Sequence, residues 1–203
     1  MKNILHIISS PRGEASFSTK LGRAIIEKIQ SADSPYTVKV HDLTETPFPH
    51  LGQAQLSAFF TRPENRTAEN LAGVRYSEEA VNELLEANVI VISVPIYNFH
   101  IHSTLKAWID QVVRAGRTVR FGPNGVEGLV RDKKVFLAIS SKGVYSEGPL
   151  QELDFATPYL RHILGYLGLT DIEVLRVEGS SVPREQDVLL TQVMDRFEVR
   201  DLF

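Results

Sequence analysis

Three short apolar runs constrain this chain more than anything else in it: "NILHII" (residues 3–8), "NVIVISV" (88–94) and "KVFLAIS" (134–140). Each is near-continuous and rich in Val and Ile. A strand with one face in water has to alternate apolar with polar residues. A strand covered on both faces does not, and such strands are typical of parallel sheets. "YTVKVHDL" (36–43) and "DIEVLRV" (171–177) alternate more, as expected nearer a sheet edge. Helical spacing fills the intervals. Leu21, Ala24, Ile25 and Ile29 follow Ser18, a predicted N-cap. A second helix is predicted from about Ser77 to Asn88, and a third between Ser103 and Gly116. A fourth is bracketed by Pro158 and Gly168, and a fifth starts near Arg184. Strands alternating with helices predict a doubly wound α/β sheet.

Two connections exceed simple turns. Residues 44–76 form an insertion-like stretch, predicted to hold a short helix around Gln53 to Phe60 and then a flexible piece. Residues 117–133 contain "RFGPNGVEGL", which reads as successive turns. With 203 residues, the chain is expected to form one domain, residues 1–203. A net charge of -3 gives no polyanion-binding signature, so nucleic acid is not an expected partner. No apolar run approaches the roughly 18–20 residues of a membrane span. "MKNILHII" has too short an apolar stretch for a signal peptide, and no small-residue cleavage site comes after it. With no cysteine, disulfides, thiolate metal sites and cysteine nucleophiles are excluded, and the cytoplasm is the expected location.

The loop after the first run, "SSPRGEASFS" (9–18), joins a strand to a helix. Unsatisfied N–H groups and the helix dipole at such a junction attract anions, and the hydroxyls of Ser10, Ser16 and Ser18 add donors without charge. Neither a G-x-G-x-x-G nor a G-x-x-x-x-G-K-[ST] pattern is present, which argues against a dinucleotide Rossmann domain and a P-loop NTPase. Two readings stay open: a phosphate cradle, or an ordinary turn capped by Ser18. A second candidate is "SVPIYNFHIHSTLKAWID" (93–110). Tyr97, Asn98 and Phe99 come after the end of a central strand, where they either border a flat ring or pack beneath the next helix. His100 and His102 are spaced as a metal pair might be, but no third ligand is evident and no metal is expected.

The pattern "PIYNF" followed by "STLKAWID", "VVRAG" and "EGL" resembles the FMN-dependent NADH-azoreductases, flavodoxin-like NAD(P)H:quinone oxidoreductases. The similarity extends from "SSPRGEASFS" to "TPYLRHILGYLGLTDIEVLRVEG". It implies a flavodoxin-like five-stranded parallel sheet in the order 2-1-3-4-5, with helices on both faces. It also implies non-covalently bound FMN, NADH or NADPH as donor, a quinone or azo acceptor, and a homodimer with sites at the interface. Position by position, the resemblance puts the FMN phosphate at Ser10, Ser16, the Phe17 main chain and Ser18. It puts the ring against Ile96, Tyr97, Asn98 and Phe99, and a third cofactor segment at Ser141, Lys142, Gly143 and Val144.

There are two departures from the family pattern. Ile96 stands where methionine is common, a swap of similar volume, and the third loop has a single glycine and reads one residue shorter than the usual two-glycine form. Lys142 either turns toward the ring, where a cation favours reduction, or stays solvated. The resemblance assigns no catalytic side chain, because the chemistry is carried by flavin N5. The expected reaction is ping-pong, two-electron hydride transfer. Phe59, Phe60, Phe121 and Tyr145 are the candidate walls of a slot for flat substrates; for the first two, burial of an insertion helix is the alternative. Arg62, Arg66 and Arg75 are candidates for contact with a 2′-phosphate. Two other functions remain open, a flavodoxin-type electron carrier and a non-catalytic nucleotide-binding module. A strongly acidic surface would favour the carrier, and -3 over 203 residues is weak support for it.

Overall fold

A computed structural model describes residues 2–32, 35–123 and 125–199. The five apolar segments form one parallel sheet. The strands are β1 (Lys2–Ile8), β2 (Tyr36–Asp42), β3 (Val89–Pro95), β6 (Lys134–Ser140) and β7 (Asp171–Val177). Their spatial order is β2-β1-β3-β6-β7, the expected 2-1-3-4-5. All seven residues of β3 are buried, as its unbroken apolar sequence requires.

The pleat divides each central strand between two cores. Leu5, Ile7, Ile90, Ile92, Leu137 and Ile139 face α3 (Ala68–Glu86), α4 (Ser103–Val112) and α5 (Ala156–Leu167). Ile4, Val89, Val91, Phe136 and Ala138 face α1 (Phe17–Ala32) and α6 (Pro183–Arg196). Trp108 of α4 is fully buried in the first core, and Leu21, Ile25 and Ile29 of α1 are fully buried in the second.

Several element boundaries differ from the sequence reading. Thr19 N–H is 3.4 Å from Ser16 Oγ, so Ser16 caps α1 and Ser18 lies inside its first turn. α3 starts at Ala68 rather than near Ser77, with Thr67 accepting Asn70 N–H and Asn70 Oδ1 accepting Thr67 N–H. α4 ends at Val112, short of Gly116.

The short helix expected in the long connection is α2 (Gln53–Phe60). The stretch between α2 and α3 is anchored rather than loose. The guanidinium of Arg114, a residue 2% exposed, lies 4.2 Å from the centre of the Phe59 ring. It donates to Ser77 Oγ at 2.5 Å and to Glu78 Oε1 at 3.2 Å. Glu78 also meets Arg117 and, from the connection, Arg66.

The segment read as turns contains a hairpin, β4 (Val119–Gly122) with β5 (Gly125–Gly128), that sets Phe121 opposite Val126. Gly128 seats it against α5: a Cβ there would lie 2.5 Å from Gly168 Cα.

Candidate cofactor site

β1 leads to β2 on one side and β3 lies on the other, so the chain reverses its winding between β1 and β3. In doubly wound sheets, the crevice outside the strand ends at such a point is where ligands bind. A cavity of about 320 Å³ lies there, with walls from the segments after β1, β3 and β6.

The first wall is the start of α1. Ser16 and Phe17 line the cavity together with Arg12. Ser16 Oγ and Ser18 Oγ are 3.0 Å apart and buried, and Ser10 is fully buried with its Oγ 3.4 Å from Arg12 N. The first N–H groups of a 16-residue helix have no carbonyl of their own to bond. Thr19 Oγ1, in the same turn, is buried and has no hydrogen-bond partner among the described residues. Among the described residues, Arg12 has no carboxylate partner. Hydroxyls, free N–H groups, a helix dipole and a guanidinium with no carboxylate beside it suit a phosphate dianion.

The second wall comes after β3. Tyr97 N–H donates to His100 O and His100 N–H donates to Tyr97 O, both at 3.0 Å, closing a two-residue turn. Its central residues, Asn98 and Phe99, have φ of 50° and 68°. Positive φ at both central positions is the signature of a type I′ turn, where Asn is common and Phe is strained. Pro95, Ile96, Tyr97 and Asn98 line the cavity. Phe99, 46% exposed, meets the Tyr145 ring edge-on at 6.5 Å.

Ser140, Ser141, Lys142, Gly143 and Tyr145 make the third wall. Ser141 N–H continues the β6–β7 ladder to Val177 O at 3.1 Å, and Ser141 Oγ donates to Gly143 O at 2.8 Å. A Cβ on Gly143 would lie 2.8 Å from Leu150 Cδ1, so a larger residue there has to displace the Leu150 side chain. Val144 packs against Gly179 rather than lining the cavity.

The structure thus gathers Ser16, Phe17, Ile96, Tyr97, Asn98, Ser141, Lys142, Gly143 and Tyr145 around one space, with Ser10, Ser18, Phe99 and Val144 immediately behind or beside it. Phe59, Phe60 and Phe121 are not lining residues: Phe59 packs on Arg114, while Phe60 and Phe121 are 82% and 65% exposed. Arg66 pairs with Glu78, and Arg75 lies over the Tyr76 ring.

His102 Nδ1 is 2.8 Å from Thr104 Oγ1, and it caps α4; burial lowers its pKa. His100 Nδ1 accepts Ile101 N–H at 2.8 Å, so both histidines have local structural partners.

Arg12, Pro95, Ser140 and Gln186 line the cavity without having been singled out from sequence. Gln186 comes from the first turn of α6, 6% exposed, with Nε2 donating to Ser180 O. Arg12 lies inside the quoted serine-rich loop, and its charge in an anion site is the signal that could have found it. A lone glutamine in a C-terminal helix carries none.

A family model described as a flavodoxin-like fold matches residues 2–199. An FMN-dependent NADH:quinone oxidoreductase of Mesorhizobium japonicum is 42% identical over 177 residues, covering 87% of this chain and 84% of that protein. FMN-dependent NADH:quinone oxidoreductase 1 of Rhizobium etli is 46% identical over 179 residues, covering 88% and 87%. The crystal structure of an azoreductase from Bacillus anthracis strain Sterne superimposes with a TM-score of 0.87 at 30% identity, covering 96% of each chain. The family model spans all three walls of the cavity, and the chain belongs to the flavodoxin-like family of FMN-dependent NADH:quinone oxidoreductases and azoreductases.

Proposed function

We propose that this chain is an FMN-dependent NAD(P)H oxidoreductase that reduces quinones and azo compounds, with FMN held non-covalently in the cavity at the ends of β1, β3 and β6. One observation carries this reading: an anion cradle, an aromatic turn and a glycine turn converge on a single space. FMN, when bound, supplies the redox chemistry, taking a hydride from reduced nicotinamide and passing two electrons to a flat acceptor.

The chain's own residues bind and orient. Ser10, Ser16 and Ser18, the N–H groups of Phe17 and Ser18, and Arg12 hold the phosphate. Ile96, Tyr97, Asn98 and Phe99 border one side of the ring, and Ser141, Lys142 and Gly143 border another, with Val144 behind them against Gly179. Lys142 offers a cation to the negative charge that reduction brings, and the Phe99–Tyr145 pair gives flat substrates an aromatic edge to stack against. None of these side chains has to transfer a proton or form a covalent bond.

The functional unit in this reading is a homodimer of single flavin-binding domains with sites at the interface. Its support is the exposure of Phe60 (82%) and Phe121 (65%), large apolar side chains whose burial by a second copy is favourable. Each copy then lends Phe60 and Phe121 to the slot beside its partner's cavity, while Phe59 stays packed on its own Arg114. The compartment assigned is the cytoplasm, where reduced nicotinamide is regenerated.

Purification followed by an absorption spectrum, then NADH oxidation with and without a quinone, tests the proposal. The expected result is a yellow protein whose NADH oxidation depends on quinone and obeys ping-pong kinetics. A colourless protein that takes up no added FMN overturns it, and a yellow protein inert toward NADH and quinone points to an electron carrier.

A further inference from the structure

The loop that makes the third wall, residues 141–146, is moulded against the segment leaving β7, and most of the grip comes from one carboxylate. Glu178 accepts Tyr145 N–H at 2.9 Å and Ser146 N–H at 3.3 Å, and it also accepts the Ser146 hydroxyl. Two successive N–H groups facing the same side form an anion-accepting concavity, here filled by the chain's own carboxylate, one oxygen to each. Hydrogen bonds to an ionised acceptor are stronger than neutral ones. Gly179, at φ 93°, lets the chain turn close under Val144; a Cβ there would lie 3.0 Å from Val144 Cγ2.

Behind Glu178 the contacts continue. Arg176 Nη1 is 3.6 Å from Glu178, and its Nη2 donates to Asp154 Oδ2 and Thr157 Oγ1, both at 2.6 Å. The side chains of Arg176, Asp154 and Glu178 are 15%, 7% and 11% exposed. Asp154 also accepts Thr157 N–H, in the first turn of α5, at 2.9 Å. Burial alone would raise the Asp154 pKa, but the N–H of Thr157 and the guanidinium of Arg176 hold it below the usual carboxylate value. The next residue, Phe155, donates its N–H to Phe99 O at 3.2 Å. Hydrogen bonds, the Arg176–Glu178 ion pair and the Asp154–Phe155 peptide therefore link the 141–146 loop to the Tyr97–His100 turn. These two walls leave different strands, and local chain connectivity does not set their spacing.

We propose that Glu178 is a positioning residue for the cofactor: through Tyr145 and Ser146 it holds the third wall, and through Arg176 and Asp154 it ties that wall to the Phe99 turn. The proposal rests on the reading of the cavity as a flavin site. Glutamine at 178 keeps the size of the side chain, but its NH₂ cannot accept an N–H, so the bidentate grip and the charge are lost together.

The test compares full-length wild type, E178Q and S146A with and without FMN, by amide hydrogen exchange and by FMN titration monitored through fluorescence quenching. For E178Q the expected results are an FMN Kd raised about tenfold, a shifted visible flavin band, and faster exchange at Tyr145, Ser146 and Phe155 with the β3 amides unchanged. S146A, which leaves the carboxylate and both backbone bonds in place, is expected to raise Kd about two- to threefold and stands in if E178Q does not fold.

An unchanged Kd and flavin band in E178Q, even with a lowered Tm, overturns the proposal. So does faster exchange at Tyr145 and Ser146 with Phe155 unaffected, and so does an unchanged S146A if that is the variant that folds. Should wild type take up no FMN, the flavin reading falls by itself. The exchange arm then still decides whether Glu178 holds the loop, and unchanged protection at Tyr145 and Ser146 overturns that role too.

Discussion

His6 sits mid-strand in β1 on the α1 face, 1% exposed, with Nε2 2.8 Å from Ser93 Oγ. Burial, and then the positive charge of Arg23, lowers its pKa from 6.5 to about 4. In the unfolded chain the same group titrates near 6.5. The folded value is the lower of the two, so its contribution is fully present above the unfolded value and is lost as pH falls toward the folded one. Between pH 6.5 and about 4, unfolding takes up a proton at this site, and stability falls by about 1.4 kcal/mol per pH unit. Across the window this amounts to about 3 kcal/mol, a large share of the roughly 5–15 kcal/mol that holds a typical domain folded.

The perturbation is H6Q, which keeps a polar group near Ser93 and removes the titration. The assay is urea unfolding of both proteins from pH 7.5 down to pH 4. With a slope of about 2 kcal/mol per molar urea, the wild-type midpoint drops by about 1.5 M more than that of H6Q over this range. Carboxylates common to both proteins cancel in the difference. Parallel midpoints at every pH would refute the reasoning and place the His6 folded pKa near its ordinary value.

Three other substitutions probe α1 and the cavity beside it. G22A puts a Cβ 2.6 Å from His6 Nε2 and closer still to Ser93 Oγ, lifting α1 from the sheet; a thermal melt should show a loss of about 1–3 kcal/mol, and an unchanged Tm contradicts the close approach. S16A removes the α1 cap together with a proposed phosphate ligand, so it should cost about 1 kcal/mol in urea unfolding and weaken FMN binding at least about fivefold by titration. F99G relieves positive φ at a residue with a side chain and should raise stability by about 1 kcal/mol while lowering kcat/KM for quinone; a loss of stability would mean the Tyr145 contact outweighs the strain.

The sheet is legible because its signal is local: near-continuous Val and Ile runs of strand length suit doubly covered strands, and β6 and β7 start and stop with the segments 134–140 and 171–177. The start of α3 is hidden because its first turns expose Leu71 (56%) and Tyr76 (36%), which breaks the apolar periodicity. The hairpin of β4 and β5 is short, and its seating depends on Gly128 meeting Gly168, a contact between segments far apart in sequence. Of the site, the serine loop and the Tyr97–Phe99 turn stand out as motifs at strand ends. Gln186, Glu178 and the Asp154–Arg176 pair do not, because single polar residues acquire a role there only when the fold brings distant segments together.

The position of β1 governs how the molecule can be assembled during synthesis. It is made well before its inner neighbour, β3, with Ile4 paired to Val89. Any nascent chain stopped before residue 95 carries "ILHII" with one long edge open and both apolar faces incompletely covered. At about 5–20 residues per second, some 4–17 s separate Ile4 from Val89 on the ribosome, and longer still separates it from Glu178. The first wall of the cavity therefore waits for the other two, and the N-terminal third of the chain is the stretch most in need of shelter from aggregation while it does.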